Sequence, residues 1–201
     1  MMPARTFPPV RQQGFTLIEV LIAIALMALV SLLSWKGLER VSSARDWLGE
    51  QAADQAVVLR TLGQVERDLN RAYVGAPAGN TAVTLLPPGI QVAQSSGSVL
   101  LDILRATPDG GLWQRIVWRL RPDGLWRYSG APAASYPLPE PAEGALLMPG
   151  ATALGVRAWV PGRGWIDPLR TDNARASGLE VAIERPGRGQ PERYTRIVVL
   201  P

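Results

Sequence analysis

Glu19 is the only formal charge between Phe15 and Trp35, inside RQQGFTLIEVLIAIALMALVSLLSW at positions 11–35. Residues 15–35 would span about 31 Å as a helix, close to the apolar thickness of a bilayer. An acid at the centre of such a span costs roughly 2.5–3.5 kcal/mol on insertion scales, and less near its end. Two kinds of chemistry would make Glu19 tolerable. Thr16-Leu17-Ile18-Glu19 fits a capping box, in which the carboxylate takes the Thr16 N–H. Alternatively, cleavage after Gly14 would create an ammonium on Phe15, four residues before Glu19, and a buried carboxylate is far less costly when paired.

Elsewhere, composition removes most catalytic options. The 201 residues include no cysteine and no histidine. Disulfides, thiolate metal sites and histidine-based triads are therefore excluded. No G-x-S-x-G and no phosphate-binding glycine loop is present, and serine and lysine are too scattered for a dyad. Asp167, Asp172 and Asn173 could offer oxygens to calcium, but their spacing does not match an EF-hand loop and a solvated loop is expected. The chain is expected to have no cofactor, no metal site and no enzymatic activity. The formal charge of +4 says little about partners.

These features must be positioned by a helix and a β-rich remainder. The apolar run is too long for a secretory signal and has no A-x-A-like cleavage site, so it is expected to remain in the mature protein. Arg5 and Arg11 place the leader in the cytoplasm by the positive-inside rule, against the opposing vote of Lys36 and Arg40. Beyond Trp35 the pattern becomes amphipathic: Leu48, Ala52, Gln55, Leu59, Leu62, Glu66, Leu69 and Tyr73, widened by Val58 and Val65, recur at steps of three or four. Arg60, Arg67 and Asp68 are among the charges assigned to the solvated faces. Pro77, with Gly75 and Gly79, is expected to end the helix near Tyr73.

From about Ala82 the alternation is β-like. Strands are expected at 83–86, 90–94, 99–105, 113–121, 125–129, 145–148, 154–160, 179–184 and 194–200. Residues 136–149, rich in proline and small residues, are expected to form a mostly irregular connection. Pro122-Asp123-Gly124 makes a hairpin turn. Period two is taken to put Ile116, Trp118, Leu120, Trp126 and Tyr128 inside and Arg115, Arg119, Arg121 and Arg127 outside. Single-strand nucleic-acid binding needs aromatics and cations on one surface, so no nucleic-acid partner is expected.

Gly14-Phe15-Thr16-Leu17-Ile18-Glu19, followed by the long apolar helix, resembles the processing site of type IV pilins and type II secretion pseudopilins. Gln12-Gln13 depart from the basic residues often found there. SWKGLERV, LGQVERDLNRA (62–72), GWIDP (164–168), GLEVAIERP (178–186) and YTRIVVLP (194–201) further resemble the J-type minor pseudopilins of type II secretion. The presence of Glu19, the length and the lack of cysteine are unlike K-type subunits and type IVa major pilins. Minor pilins of type IV pili are the alternative, and a membrane-anchored periplasmic enzyme a more distant one.

The resemblance implies an α+β, pilin-like fold: one long N-terminal helix packed on an antiparallel β-sheet head. Residues 1–14 would be a leader cut by prepilin peptidase, 15–35 the transmembrane helix, 36–73 its amphipathic continuation and 74–201 a periplasmic head. Gly14 and Phe15 would be the processing site, with methylation of Phe15, and Glu19 would pair with the N-terminus of a neighbouring subunit. Implied partners are the I- and K-type minor pseudopilins, possibly the H-type, the major pseudopilin and the inner membrane. The chain would act at the pseudopilus tip, priming assembly of the fibre that exports folded proteins through the outer-membrane secretin. Leu38, Val41, Ala44 and Leu48 form the expected partner interface, because exposed apolar surface usually marks an interaction site.

Overall fold

A computed structural model describes residues 16–75, 85–95, 97–169, 174–187 and 189–200. One long helix, α1 (Leu17–Asn70), precedes two antiparallel sheets. This is an α+β, pilin-like architecture. By internal contacts the chain divides into Met1–Ala52 and Ala53–Pro201.

In the first unit the helix starts at a satisfied cap. The Thr16 N–H and hydroxyl both donate to Glu19 Oε2, each at 2.9 Å. Leucine and alanine dominate the turns that follow, and both are strong helix formers. Every residue from Thr16 onward in this unit is exposed.

In the second unit, α1 runs from Ala53 to Asn70 and buries one side. Val58, Leu62, Val65 and Leu69 are buried at helical spacing, with Thr61 and Asp68 on the same side. The inward side is therefore rotated from the expected stripe: Leu59 is 70% exposed, and Gln55 is exposed too. The helix also ends earlier than Tyr73. The Tyr73 N–H donates to the Leu104 carbonyl, and the Ala106 N–H donates to that of Arg71. Pairing with a strand thus replaces the next helical turn. Pro77 and Gly79, expected to stop the helix, lie outside the described residues. Gly89 completes this junction by donating to the Tyr73 carbonyl. A Cβ there would lie 2.5 Å from Tyr73 backbone atoms, so only glycine fits.

The first sheet is a meander of β1 (Ile90–Ser95), β2 (Ser98–Ala106), β3 (Trp113–Arg121), β4 (Gly124–Ser129) and β5 (Glu143–Pro149). The second has the order β7-β6-β8-β9, from β6 (Ala153–Val160), β7 (Gly164–Ile166), β8 (Gly178–Arg185) and β9 (Glu192–Val199). Leu101, Ile103, Ile116 and Leu125 from one sheet join Ala158, Leu179, Val181 and Ile183 from the other in one core with the buried side of the helix. Most expected strands are present within a residue or two. Leu85 and Leu86 form a bend rather than a strand, while Val83 lies outside the described residues. The expected irregular stretch 136–149 gives way to β5 at Glu143, and three-residue β7 is too short to show a period.

The β3–β4 hairpin departs from expectation in a way that matters. Two residues, Pro122 and Asp123, separate the paired Arg121 and Gly124, so each even-numbered residue of β3 faces an odd-numbered one of β4: Trp118 with Arg127, Arg119 with Trp126. Cross-strand partners share a face. Arg127 therefore points inward beside Trp118, and Trp126 and Tyr128 point outward beside Arg119. Carrying one parity through the turn reversed β4.

The inward arginine meets Asp68, which is not on a solvated face as expected but 0% exposed. Its Oδ2 accepts from Arg127 Nε at 2.7 Å and from the Trp118 indole at 3.1 Å. Oδ1 accepts from Arg105 at 2.7 Å, from Arg127 at 3.0 Å and from Gln64 at 3.0 Å. Burial draws the Arg105 guanidinium below its ordinary pKa, and the Asp68 charge opposes that shift. Nearby, the Thr61 hydroxyl lies 2.9 Å from the Val57 carbonyl and 3.0 Å from that of Leu147 on β5, and it donates to one at a time. Arg185–Asp54 and Arg196–Glu66 join the same helix to the second sheet.

Removing one member of a buried ion cluster leaves the others unpaired, at a cost of about 3–5 kcal/mol. Asp68→Ala should lower stability by that order, read by tryptophan fluorescence in a denaturant titration of the full-length protein. The combined variant Asp68→Leu/Arg105→Met/Arg127→Met should recover most of the loss. Equal losses in both would show that packing of the apolar stems, rather than the charges, holds the helix on the sheet.

Candidate assembly site

The capping box observed at Thr16 leaves Glu19 with capacity to spare. Both bonds from Thr16 end on Oε2, and the longer contact from the Glu19 N–H ends on the Thr16 hydroxyl at 3.4 Å. Oε1 has no partner among the described residues. The carboxylate can thus cap its own helix and still present an oxygen to a cation, so the two readings of Glu19 are compatible. Gly14 and Phe15, the expected processing pair, lie outside the described residues.

The segment that carries this acid suits lipid. Its apolar run is long enough to cross a bilayer and is not buried within the protein. Side chains such as Leu21, Ile24, Met27 and Leu33 are more than half exposed, as a helix awaiting an apolar solvent must be. Trp35 and Lys36 follow at the end of the run, a composition typical of a membrane–water boundary.

The expected interface residues share one side of the next turns. At steps of 3, 3 and 4, Leu38, Val41, Ala44 and Leu48 fall within an arc of about 120°. All four are exposed, with Leu38 at 68% and Leu48 at 57%. A methyl group placed on Gly37 would meet nothing within 4 Å, so packing inside the chain does not require glycine there. Small residues of this kind let helices approach closely. The structure places these residues along one exposed side of the helix.

A second candidate is a cleft of about 510 Å³ on the first sheet, lined by Tyr73, Pro88, Asp102, Arg115, Tyr136 and Glu140 among others. Its two acids share one guanidinium. Arg115 binds Asp102 through Nε at 2.9 Å and Nη2 at 2.6 Å, and Glu140 through Nη1 at 2.7 Å. The Asp102 hydrogen bond raises the Arg115 pKa, which fixes that charge more firmly. Both carboxylates thus accept hydrogen bonds from the one guanidinium. Among the described residues, no three His, Cys, Asp or Glu side chains come together as a metal site. Asp172 and Asn173 lie outside the described residues, and Asp167 accepts the Leu169 N–H at 2.9 Å.

Sequence reasoning missed Asp68. Its signal was present: Asp68 falls seven residues after Thr61 and three after Val65, on the side of Val58 and Leu69 rather than opposite it.

Residues 10–35 match the family model described as the prokaryotic N-terminal methylation motif. No curated protein matches the chain. The motif, at the head of one long apolar helix followed by antiparallel sheets, supports a type IV pilin-like protein that is processed by a prepilin peptidase and associated with a membrane.

Processing can be read by mass. The membrane form should begin at Phe15 and carry one added methyl group, as measured by intact-mass spectrometry and N-terminal peptide mapping. A mature protein that retains Met1 or Met2 would overturn this assignment of the cleavage site.

Proposed function

We propose that this chain is a minor pseudopilin of the J type, a structural subunit of the type II secretion pseudopilus rather than an enzyme. The methylation motif at the start of an exposed, membrane-compatible helix is the observation that carries the reading. The ordered fragments from SWKGLERV to YTRIVVLP narrow it to the J type. The subunit sits in the inner membrane with its N-terminus cytoplasmic and its head periplasmic. There it joins the I- and K-type subunits to prime the fibre built from the major pseudopilin, with the H-type a further candidate partner. The pairing of both acids of the cleft with Arg115 supports a structural part over a catalytic one.

Assembly then follows from elementary electrostatics. The unpartnered Oε1 of Glu19 receives the ammonium of a neighbouring Phe15 inside the membrane, where a lone carboxylate is costly. The apolar side from Leu38 to Leu48 lies against parallel helices of other subunits, since all are anchored in one bilayer.

Three measurements test this function. Glu19→Ala should insert normally, because an insertion penalty is removed, yet should impair export in a secretion assay. Normal export by that strain would reduce Glu19 to a cap. Val41→Asp and Leu48→Asp should lose co-purification with the other tip subunits while the head keeps its thermal melt. If both variants co-purify fully, the contact lies elsewhere. A strain lacking this chain that secretes normally but loses pili would place the protein among the type IV minor pilins.

A further inference from the structure

The reversed hairpin face places cations and aromatics together on the outside of the first sheet. Nearly every arginine in the strands holds a carboxylate, from Arg105 on Asp68 to Arg196 on Glu66. Arg119 and Arg121 are the exceptions, with no carboxylate partner among the described residues. They stand two apart on β3, both exposed, on the face that also carries Trp126 and Tyr128.

The Arg121 guanidinium is held against those rings. It lies 5.6 Å from the Trp126 centroid and 5.2 Å from that of Tyr128. The two rings stack within 20° at 5.9 Å. Tyr128 rests over Gly144 of β5, where an added Cβ would come within 2.4 Å of the ring. The acids near this face are already engaged: Asp123 accepts the Trp126 indole N–H at 2.8 Å, and Asp102 is bound by Arg115. A guanidinium resting on aromatic rings keeps its in-plane N–H groups free for a carboxylate. Arginine, tryptophan and tyrosine are also the residues that dominate the energetics of protein interfaces.

The geometry points to a docking site for an acidic protein segment, in which Arg119 and Arg121 each receive a carboxylate and Trp126 and Tyr128 supply the apolar floor. Two cations suit a pair of carboxylates. Nucleic-acid grooves track a backbone with many more contacts, and anionic membranes attract clusters of roughly 4–8 basic residues. The site does not rest on the assembly role proposed above.

The test uses the full-length protein in neutral detergent micelles and a fluorescein-labelled oligoaspartate peptide, read by anisotropy at low salt. Wild type should bind saturably. Arg119→Glu/Arg121→Glu should weaken binding by at least about tenfold, the scale of one charge-assisted hydrogen bond. Trp126→Ala should weaken it by roughly two- to fivefold through loss of the stacked guanidinium. Arg60→Glu/Arg175→Glu changes net charge equally at exposed positions off this face and should bind as wild type does. If charge reversal alters the thermal melt, Arg119→Gln/Arg121→Gln must show the same loss. No binding by wild type overturns the proposal, as does unchanged binding by the reversed pair or an equal loss in the control. A preference at these residues for oligothymidylate, or for phosphatidylglycerol added to the micelles, overturns the choice of an acidic protein.

Discussion

A carboxylate loses its water on entering a protein interior, and hydrogen-bond donors must replace it. At Asp68 those donors come from three places: Gln64 on the helix itself, Arg105 on β2, and Trp118 and Arg127 of the β3–β4 hairpin. Apolar packing alone would let the last turns of the helix slide or rotate on the sheet, because it is non-directional. A single acid satisfied on all sides allows one rotation and one height. The register of β3 against β4 is bound to the same point, since only a two-residue turn brings Arg127 beside Trp118.

The long helix answers to two surroundings. Near its start the only charge is an acid that caps its own backbone and keeps an oxygen open. Further along, its charges reach across to the second sheet, as Asp54 does with Arg185 and Glu66 with Arg196. Gly37 and Ala44 fall between these regimes, and both are exposed.

The helix, the two-sheet remainder and the prepilin-type motif were legible in the sequence because each rests on local patterning. Glycine, phenylalanine and glutamate at fixed spacing need no tertiary context. Strand signals in stretches such as VLLDILR (99–105) need none either. Parity across a turn is different: it depends on which residues pair, and Pro122-Asp123-Gly124 admits more than one pairing. Asp68 was hidden for a related reason. An acid on the inward side of a helix reads as an interruption until the arginine that receives it is known to point the same way, and Arg127 had been turned outward.

The ion pairs that hold the helix also have a temporal meaning. Both sheets join strands that are close in the chain, so their pairings form over short loops. Asp68 must wait for Arg127, 59 residues on, while Asp54 waits 131 residues for Arg185 and Glu66 waits 130 for Arg196. Contacts over such separations close late, because loop entropy opposes them. During synthesis the helix is the first of these elements to be made. Its inward side at Thr61, Val65 and Asp68 has no partner until the strands that carry Arg105, Arg127 and Leu147 follow. A helix made first thus depends for its cover on residues 37 to 131 positions further along the chain.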